Sequence, residues 1–120
     1  MDRVDRSVSW LILGIGVLHC AVTFLLFHGF SESAMWFFSA GLAMMYGAAL
    51  NLLRIEYAGV ARGVLHVCRA ANLSLLGFIV VYLAGRGAAA FKNPGAITLV
   101  VCVAAATAFS ILRRPAASLA

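Results

Sequence analysis

The residues best suited to chemistry in this chain lie in one stretch near its middle. Arg62, His66 and Arg69 recur at i, i+4 and i+7, and Asn72 continues the series at i+10. In an α-helix this spacing aligns side chains along one face. Guanidinium and imidazolium groups suit an anion, a lipid headgroup or an acidic residue of a partner protein. We therefore predict that Arg62, His66, Arg69 and Asn72 form a binding stripe for one of these.

A second histidine, His19, lies next to Cys20 and four residues before Thr23. Alone, it is expected to be a neutral imidazole bonded to a hydroxyl or carbonyl of another helix. Together with His66 it could instead ligate a b-type haem held between helices. Both histidines end the phrase Gly-Val-Leu-His, at 16–19 and 63–66. This similarity raises the hypothesis of a parallel internal repeat, in which the two imidazoles lie at a similar depth.

The sequence lacks the residue patterns of common catalytic and metal-binding motifs. There is no Gly-rich phosphate loop, nucleophile–base pair or HExxH. The three cysteines, Cys20, Cys68 and Cys102, form no CxxC pair, and two histidines without a nearby carboxylate are too few ligands for a metal. The sequence therefore predicts no catalytic residue, no metal site and no cofactor apart from the haem alternative.

The elements that carry these residues are apolar and long. Hydrophobic residues make up 64% of the 120 residues, and the mean hydropathy is +1.03. A helix needs roughly 20 mainly apolar residues to cross a bilayer. We predict helices at about 8–30, 34–53, 62–85 and 95–112. The fold class is an all-α integral membrane protein, with residues 1–120 forming one domain of four transmembrane helices in a compact antiparallel bundle.

Local signals mark the ends of these helices. Ser31 or Ser33 is placed to cap the second helix. The Gly85-Arg86-Gly87 cluster ends the third, and Asn93-Pro94-Gly95 begins the fourth. The Arg113-Arg114-Pro115 cluster stops the fourth helix.

Small residues predict where the helices meet, because close backbone approach drives helix association in lipid. Ser9, Gly16 and Thr23 recur at heptad spacing in the first helix. The second helix has such a face, and its Gly41 and Gly47 could equally form a seam between copies of the chain. No acidic residue lies inside the predicted helices, so a carboxylate that exchanges protons for a substrate is not in place.

The basic residues predict the orientation. Six of them fall on one side of a four-span protein, namely Arg3, Arg6, Arg54, Arg62, Arg113 and Arg114. The other side has only Arg86 and Lys92. Basic residues gather on the cytoplasmic side, so both termini are expected there. The compact chain and its arginine-rich flanks suggest a bacterial inner membrane. The net charge of +5 lies at helix ends and forms no basic face, which argues against nucleic acid.

Three functions remain open at this point. The leading interpretation is a non-enzymatic membrane protein that acts through lipid or partner contacts, either as an accessory or assembly subunit or as a homo-oligomer. The second is a channel or transporter for an anion or small solute, lined by the third helix. The third is a haem protein with His19 and His66 as ligands.

Overall fold

The computed structural model of the protein describes residues 2–29, 31–57, 61–92 and 94–112. Four α-helices account for most of them: α1 (Asp2–Leu26), α2 (Glu32–Tyr57), α3 (Arg62–Arg86) and α4 (Pro94–Leu112). A short 3₁₀ helix, Gly87–Lys92, joins α3 to the region before α4. All four α-helices are long and apolar enough to cross a membrane. The prediction of an all-helical chain with four helices of spanning length is confirmed.

Two helices extend beyond the apolar runs that predicted them. The first helix begins at Asp2, not at residue 8, and the second continues to Tyr57. Asp5 and Arg54, expected in a tail and a loop, are therefore helical. An acid in the first turn and a base in the last turn both interact favourably with the helix dipole. The expectation that no acidic residue lies inside a helix is wrong, because Asp5 is one turn into α1.

The predicted caps of α2 and α3 are confirmed. The Ser31 hydroxyl accepts a hydrogen bond from the Ala34 N–H at 3.1 Å, as an N-cap does. The C-cap of helix α3 is Gly87, whose φ of +55° favours glycine and whose N–H donates to the Leu83 carbonyl. Helix α4 begins at Pro94. The predicted stop at residues 113–115 lies outside the described residues.

The helices contact one another in chain order. Helix α1 packs on α2, α2 on α3, α3 on α4, and α4 returns to α1. Helices α2 and α4 also approach each other across the diagonal, whereas the backbones of α1 and α3 stay apart throughout the described ranges. The centre of the molecule is an apolar cluster of buried side chains, contributed by all four helices: Ile12, Met44, Ala48, Ile79, Cys102, Val103 and Ala106.

The closest helix contact joins α1 and α2 at two glycines. A Cβ atom added at Gly16 would lie 2.8 Å from both the Gly41 carbonyl oxygen and Met45 Cγ. A Cβ atom added at Gly41 would lie 2.5 Å from Cys20 Sγ. Gly41 therefore serves a seam within the chain, not one between copies. The predicted face of α1 is confirmed, since Gly16 and its two heptad mates are buried.

The outward faces of the helices are apolar. Phe24 is 76% exposed, Leu25 75% and Val81 71%, and many other large apolar side chains are exposed along all four helices. Soluble monomers rarely expose apolar patches of this extent. Together with the four helices of spanning length, this surface suggests an integral membrane protein.

Alanine substitutions at the glycines test the α1–α2 contact. We expect Gly16→Ala and Gly41→Ala each to lower the free energy of unfolding by about 1–3 kcal/mol, because the added methyl group meets backbone or side-chain atoms. The matched control is Gly14→Ala on α1, where an added Cβ meets nothing within 4 Å. It should change stability by less than about 1 kcal/mol. The measurement is equilibrium unfolding in mixed detergent, and equal effects of Gly14→Ala and Gly16→Ala would contradict the contact.

Candidate functional site

Buried polar side chains from all four helices gather in one half of the molecule. We call this group the polar cluster, and its members are Asp5, Ser9, Asn51, Arg54, Cys68, Asn72, Thr107 and Ser110. It lies on one side of the apolar core, toward the ends of α1 and α2 that carry Asp5 and Arg54. Polar groups removed from water must be bonded within the protein, so the partners of each member decide what the cluster can do.

An ion pair between α1 and α2 is the centre of the polar cluster. Arg54 Nη2 donates to both carboxylate oxygens of Asp5, at 2.7 and 2.8 Å. Arg54 is 0% exposed and Asp5 is 3% exposed. The same Nη2 donates to Asn51 Oδ1 at 3.3 Å. The guanidinium is thus neutralised by a carboxylate that is itself withdrawn from the surroundings, which is the condition for tolerating a buried charge.

The sequence contained a signal for this pair. Asp5, Ser9, Ile12 and Gly16 stand at i, i+4, i+7 and i+11, so they lie on one helical face. All four are buried. The apolar run that defined the first helix starts after Asp5, and for that reason the ion pair was missed.

Two asparagines connect α2 to α3 beside the ion pair. Asn51 Nδ2 donates to Asn72 Oδ1 at 2.7 Å, and Asn72 Nδ2 donates to Asn51 Oδ1 at 3.0 Å. Asn72 Nδ2 also lies 3.4 Å from the Ala106 carbonyl oxygen on α4. The Cys68 thiol donates to Asn51 Oδ1 at 3.3 Å. This reciprocal amide pair therefore joins three helices.

The hydroxyl groups of the polar cluster bond mainly within their own helices. The Ser9 hydroxyl donates to the Asp5 carbonyl at 2.9 Å, and Thr107 donates to the Val103 carbonyl at 2.7 Å. Ser110 donates to the Thr107 carbonyl at 2.8 Å. Thr107 Oγ1 also lies 3.5 Å from the Asn72 carbonyl oxygen of α3. The bonds within each helix let hydroxyl groups pack in the interior.

Two nitrogen atoms in the polar cluster, with three N–H bonds between them, have no partner among the residues that the structure describes. Arg54 Nε and Nη1 are buried and make no hydrogen bond to any of the described residues. An unsatisfied buried donor costs roughly 1–3 kcal/mol. The Asp5–Arg54 interaction must offset this cost as well as the desolvation of both charges.

The four residues of the predicted binding stripe on α3 have different surroundings. Arg62 and His66 are exposed, whereas Asn72 is buried in the polar cluster. Arg69 Nε donates to the Ser110 carbonyl at 2.8 Å and its Nη2 to the Ile111 carbonyl at 3.2 Å. The reason is the helical rotation of about 100° per residue, which turns Asn72 about 120° away from His66.

The partners of Arg69 identify its environment. Ser110 and Ile111 lie in the last turn of α4, where carbonyl groups have no partner within the helix. A cation there bonds these carbonyls and interacts favourably with the helix dipole. The α4 carbonyls thus interact favourably with the Arg69 charge.

The two histidines lie at different levels along the helices. His19 is fourteen residues beyond Asp5 on α1, roughly 21 Å along the helix axis. His66 is two residues before Cys68, which contacts the amide pair beside Arg54, so His66 lies near the level of Asp5.

His19 stacks on Phe37 of α2, with ring centroids 3.7 Å apart and an interplanar angle of 15°. His66, in contrast, is exposed on α3. The two imidazoles thus differ in depth and in surroundings, and so do the two Gly-Val-Leu-His phrases that they end.

A groove between α2 and α3 is the second feature of interest. Its volume is about 430 Å³. We call it the α2–α3 groove. The residues that line it are Trp36, Ser39, Ala40, Ala43, Met44, Tyr46, Gly47, Leu50, Ala71, Ser74, Leu75, Phe78, Ile79 and Leu99. The hydroxyl groups of Tyr46 and Ser74 make no hydrogen bond with the part of the chain that the structure describes. A second groove, about 530 Å³, lies at the far end of α1 and α2 and is lined mainly by Phe24, Phe27, Met35, Phe38 and Leu42.

No protein-family model matches the chain, and comparisons with curated proteins and with solved structures give no significant match. Among the described residues, no group of three or more His, Cys, Asp or Glu side chains is placed to hold a metal ion. The polar cluster and the α2–α3 groove are therefore the features from which a function is inferred.

Removal of one charge tests the buried ion pair. We expect Asp5→Ala to lower the free energy of unfolding by about 3–5 kcal/mol, because it leaves the Arg54 guanidinium buried without a counter-charge. The control is Glu56→Ala, which removes an exposed carboxylate 3.8 Å from Arg6 and should cost less than about 1 kcal/mol.

Joint replacement of the pair by apolar residues, Asp5→Leu with Arg54→Leu, should recover much of the loss caused by Asp5→Ala. Unfolding in mixed detergent measures all three variants. An Asp5→Ala protein as stable as Glu56→Ala would show that the pair does not hold the helices.

Proposed function

We propose that this chain is a small integral protein of a bacterial inner membrane, with its four helices packed as an antiparallel bundle. The proposal is supported by helix length, by the apolar outward faces and by the distribution of basic residues. Arg3, Arg54 and Arg62 lie near one end of the helices, and Arg86 and Lys92 lie at the other. Under the positive-inside rule the arginine-rich end and both termini face the cytoplasm.

We further propose that the protein is non-enzymatic and acts through contacts with a partner within the bilayer. The partner is either another membrane protein, which this chain assists or helps to assemble, or a second copy of the chain. The observation that carries this proposal is Tyr46, which is 67% exposed in the middle of α2. Lipid tails offer its hydroxyl no hydrogen bond, whereas a helix seated in the α2–α3 groove does.

The buried polar residues bond to one another, which agrees with this function. Asp5 bonds Arg54 and Asn51 bonds Asn72, so these side chains stabilise the contacts among the helices of one chain. The outward-facing surfaces then remain available to bind a partner or lipid. Arg62 and His66, exposed at the cytoplasmic end in this orientation, are suited to anionic lipid headgroups.

A pathway for an anion or small solute through one chain has less support. Apart from Thr23, the buried polar residues in the described ranges occupy one half of the interior, and Ile12, Met44 and Val103 are packed across the centre. A conducting route generally needs polar or wettable lining along its length. Such a route would have to form between chains.

Isolation of the protein in a native-like membrane tests the proposed function. We expect a tagged chain extracted in lipid nanodiscs to have a particle mass that includes at least one further polypeptide, which mass photometry and peptide sequencing would identify. A particle that holds one copy of this chain and lipid alone, at the expression level of the native host, would contradict the proposal.

A further inference from the structure

We propose that the α2–α3 groove is the seat of a second copy of this chain, which forms a two-fold dimer about an axis along the membrane normal. The inference rests on the proposed function and specifies its partner. It is drawn from the shape of the groove, from two hydroxyl groups that have no partner among the described residues, and from the depth at which those groups lie.

The groove is shaped to receive a helix. Helix α2 packs much more closely on α1 than on α3, and the opening between α2 and α3 is about 430 Å³. Ala40, Ala43 and Gly47 line its α2 wall, and Ala71 lines its α3 wall. Small residues permit the close backbone approach that drives helix association in lipid. Phe78, 63% exposed at the rim, provides a large side chain that a neighbouring groove could accept.

Two hydroxyl groups distinguish this groove from an ordinary lipid-facing surface. Tyr46 lies fourteen residues from the start of α2 and eleven from its end, roughly 17–21 Å from either end of the helix. That position is near the centre of a bilayer. Ser74, also exposed, lies on the opposite wall. Burying a hydroxyl in hydrocarbon without a hydrogen bond is unfavourable, so an acyl chain is a poor occupant.

The depth of the two hydroxyl groups favours a second copy over an unrelated helix. The Asn51–Asn72 contact sets the register of the antiparallel helices, with Tyr46 five residues before Asn51 and Ser74 two residues after Asn72. Tyr46 and Ser74 therefore differ in depth by about three residues, ~4.5 Å. A two-fold axis along the membrane normal brings together groups of equal depth. The tyrosine side chain is long enough to span this offset, so Tyr46 of each copy can bond Ser74 of the other.

Cysteine cross-linking in native membranes tests the location of the interface. The background variant is Cys20→Ala, which leaves Cys68 and Cys102, both buried, as the other thiols. We expect Ala43→Cys, in the groove, to give a covalent homodimer on mild oxidation. The matched control is Ala49→Cys, an exposed position of α2 about 120° around the helix, which should remain monomeric.

The cross-linking outcomes separate this inference from the proposed function. If Ala43→Cys links instead to a different membrane protein, the second copy is wrong and the proposed function stands. If no product forms and the native particle contains one polypeptide, both are wrong. Equal homodimer yields from Ala43→Cys and Ala49→Cys would indicate random collision and would overturn the inference.

Removal of the tyrosine hydroxyl tests the predicted bonds. We expect Tyr46→Phe to weaken dimerisation about 3- to 10-fold, since two interhelical hydrogen bonds are lost per dimer. Tyr57→Phe is the control, because Tyr57 is the last residue of the same helix and its hydroxyl can bond interfacial water. Energy transfer between labelled copies, titrated against lipid, measures both variants. Equal dissociation constants for the two variants would overturn the Tyr46–Ser74 contact.

Discussion

A charged group among apolar helices must be neutralised from within the protein, and the rest of this structure depends on how that is done for Arg54. Its guanidinium is fully buried, and the carboxylate of Asp5 is its counter-charge. The pair joins the start of α1 to the end of α2. Such pairs contribute little net stability compared with apolar packing, but they disfavour every arrangement that separates the two charges. The ion pair therefore specifies which helix ends lie together.

The polar cluster and the small-residue contacts stabilise the helix packing at different levels along the helices. At one end, the Asp5–Arg54 pair and the Asn51–Asn72 amides fix the relative depth of α1, α2 and α3. Farther along, Gly16 lets α1 approach α2 so closely that no side chain fits between them. In the described part of the chain, α3 packs less closely on α2 than α1 does, and Asn51 holds it there through Cys68 and Asn72. The α2–α3 groove is the consequence, and it leaves mid-helix hydroxyl groups facing outward.

The sequence predicted the elements better than it predicted the site. Length and apolar content identified four helices, and the capping residue Ser31 and the terminating Gly87 were recognised because their effects are local. Asp5 and Arg54 were missed because apolar content locates the lipid-facing part of a helix and not its polar ends. The pairing of residues 49 positions apart in sequence also depends on tertiary packing, which a local pattern does not contain.

The predicted stripe on α3 shows a further limit. Spacings of four, three and three residues keep neighbours close but allow the series to drift around the helix, so Arg62 and Asn72 have different surroundings. Arg62 is exposed, Arg69 meets the end of α4, and Asn72 joins the polar cluster. His19 was expected to bond a neighbouring helix, and it stacks instead on the Phe37 ring. A pattern on one helix does not reveal what the neighbouring helices present to it.

Solid-state NMR of the protein in lipid bilayers tests the central claim most directly. With ¹⁵N in the arginine side chains and ¹³C in the aspartate carboxylates, the account predicts a strong dipolar coupling between Arg54 Nη2 and the Asp5 carboxylate. It also predicts no coupling from Arg54 to lipid ³¹P. An Arg54 signal coupled to phosphate and not to Asp5 would mean that lipid, not the protein, neutralises this charge, and it would contradict the account.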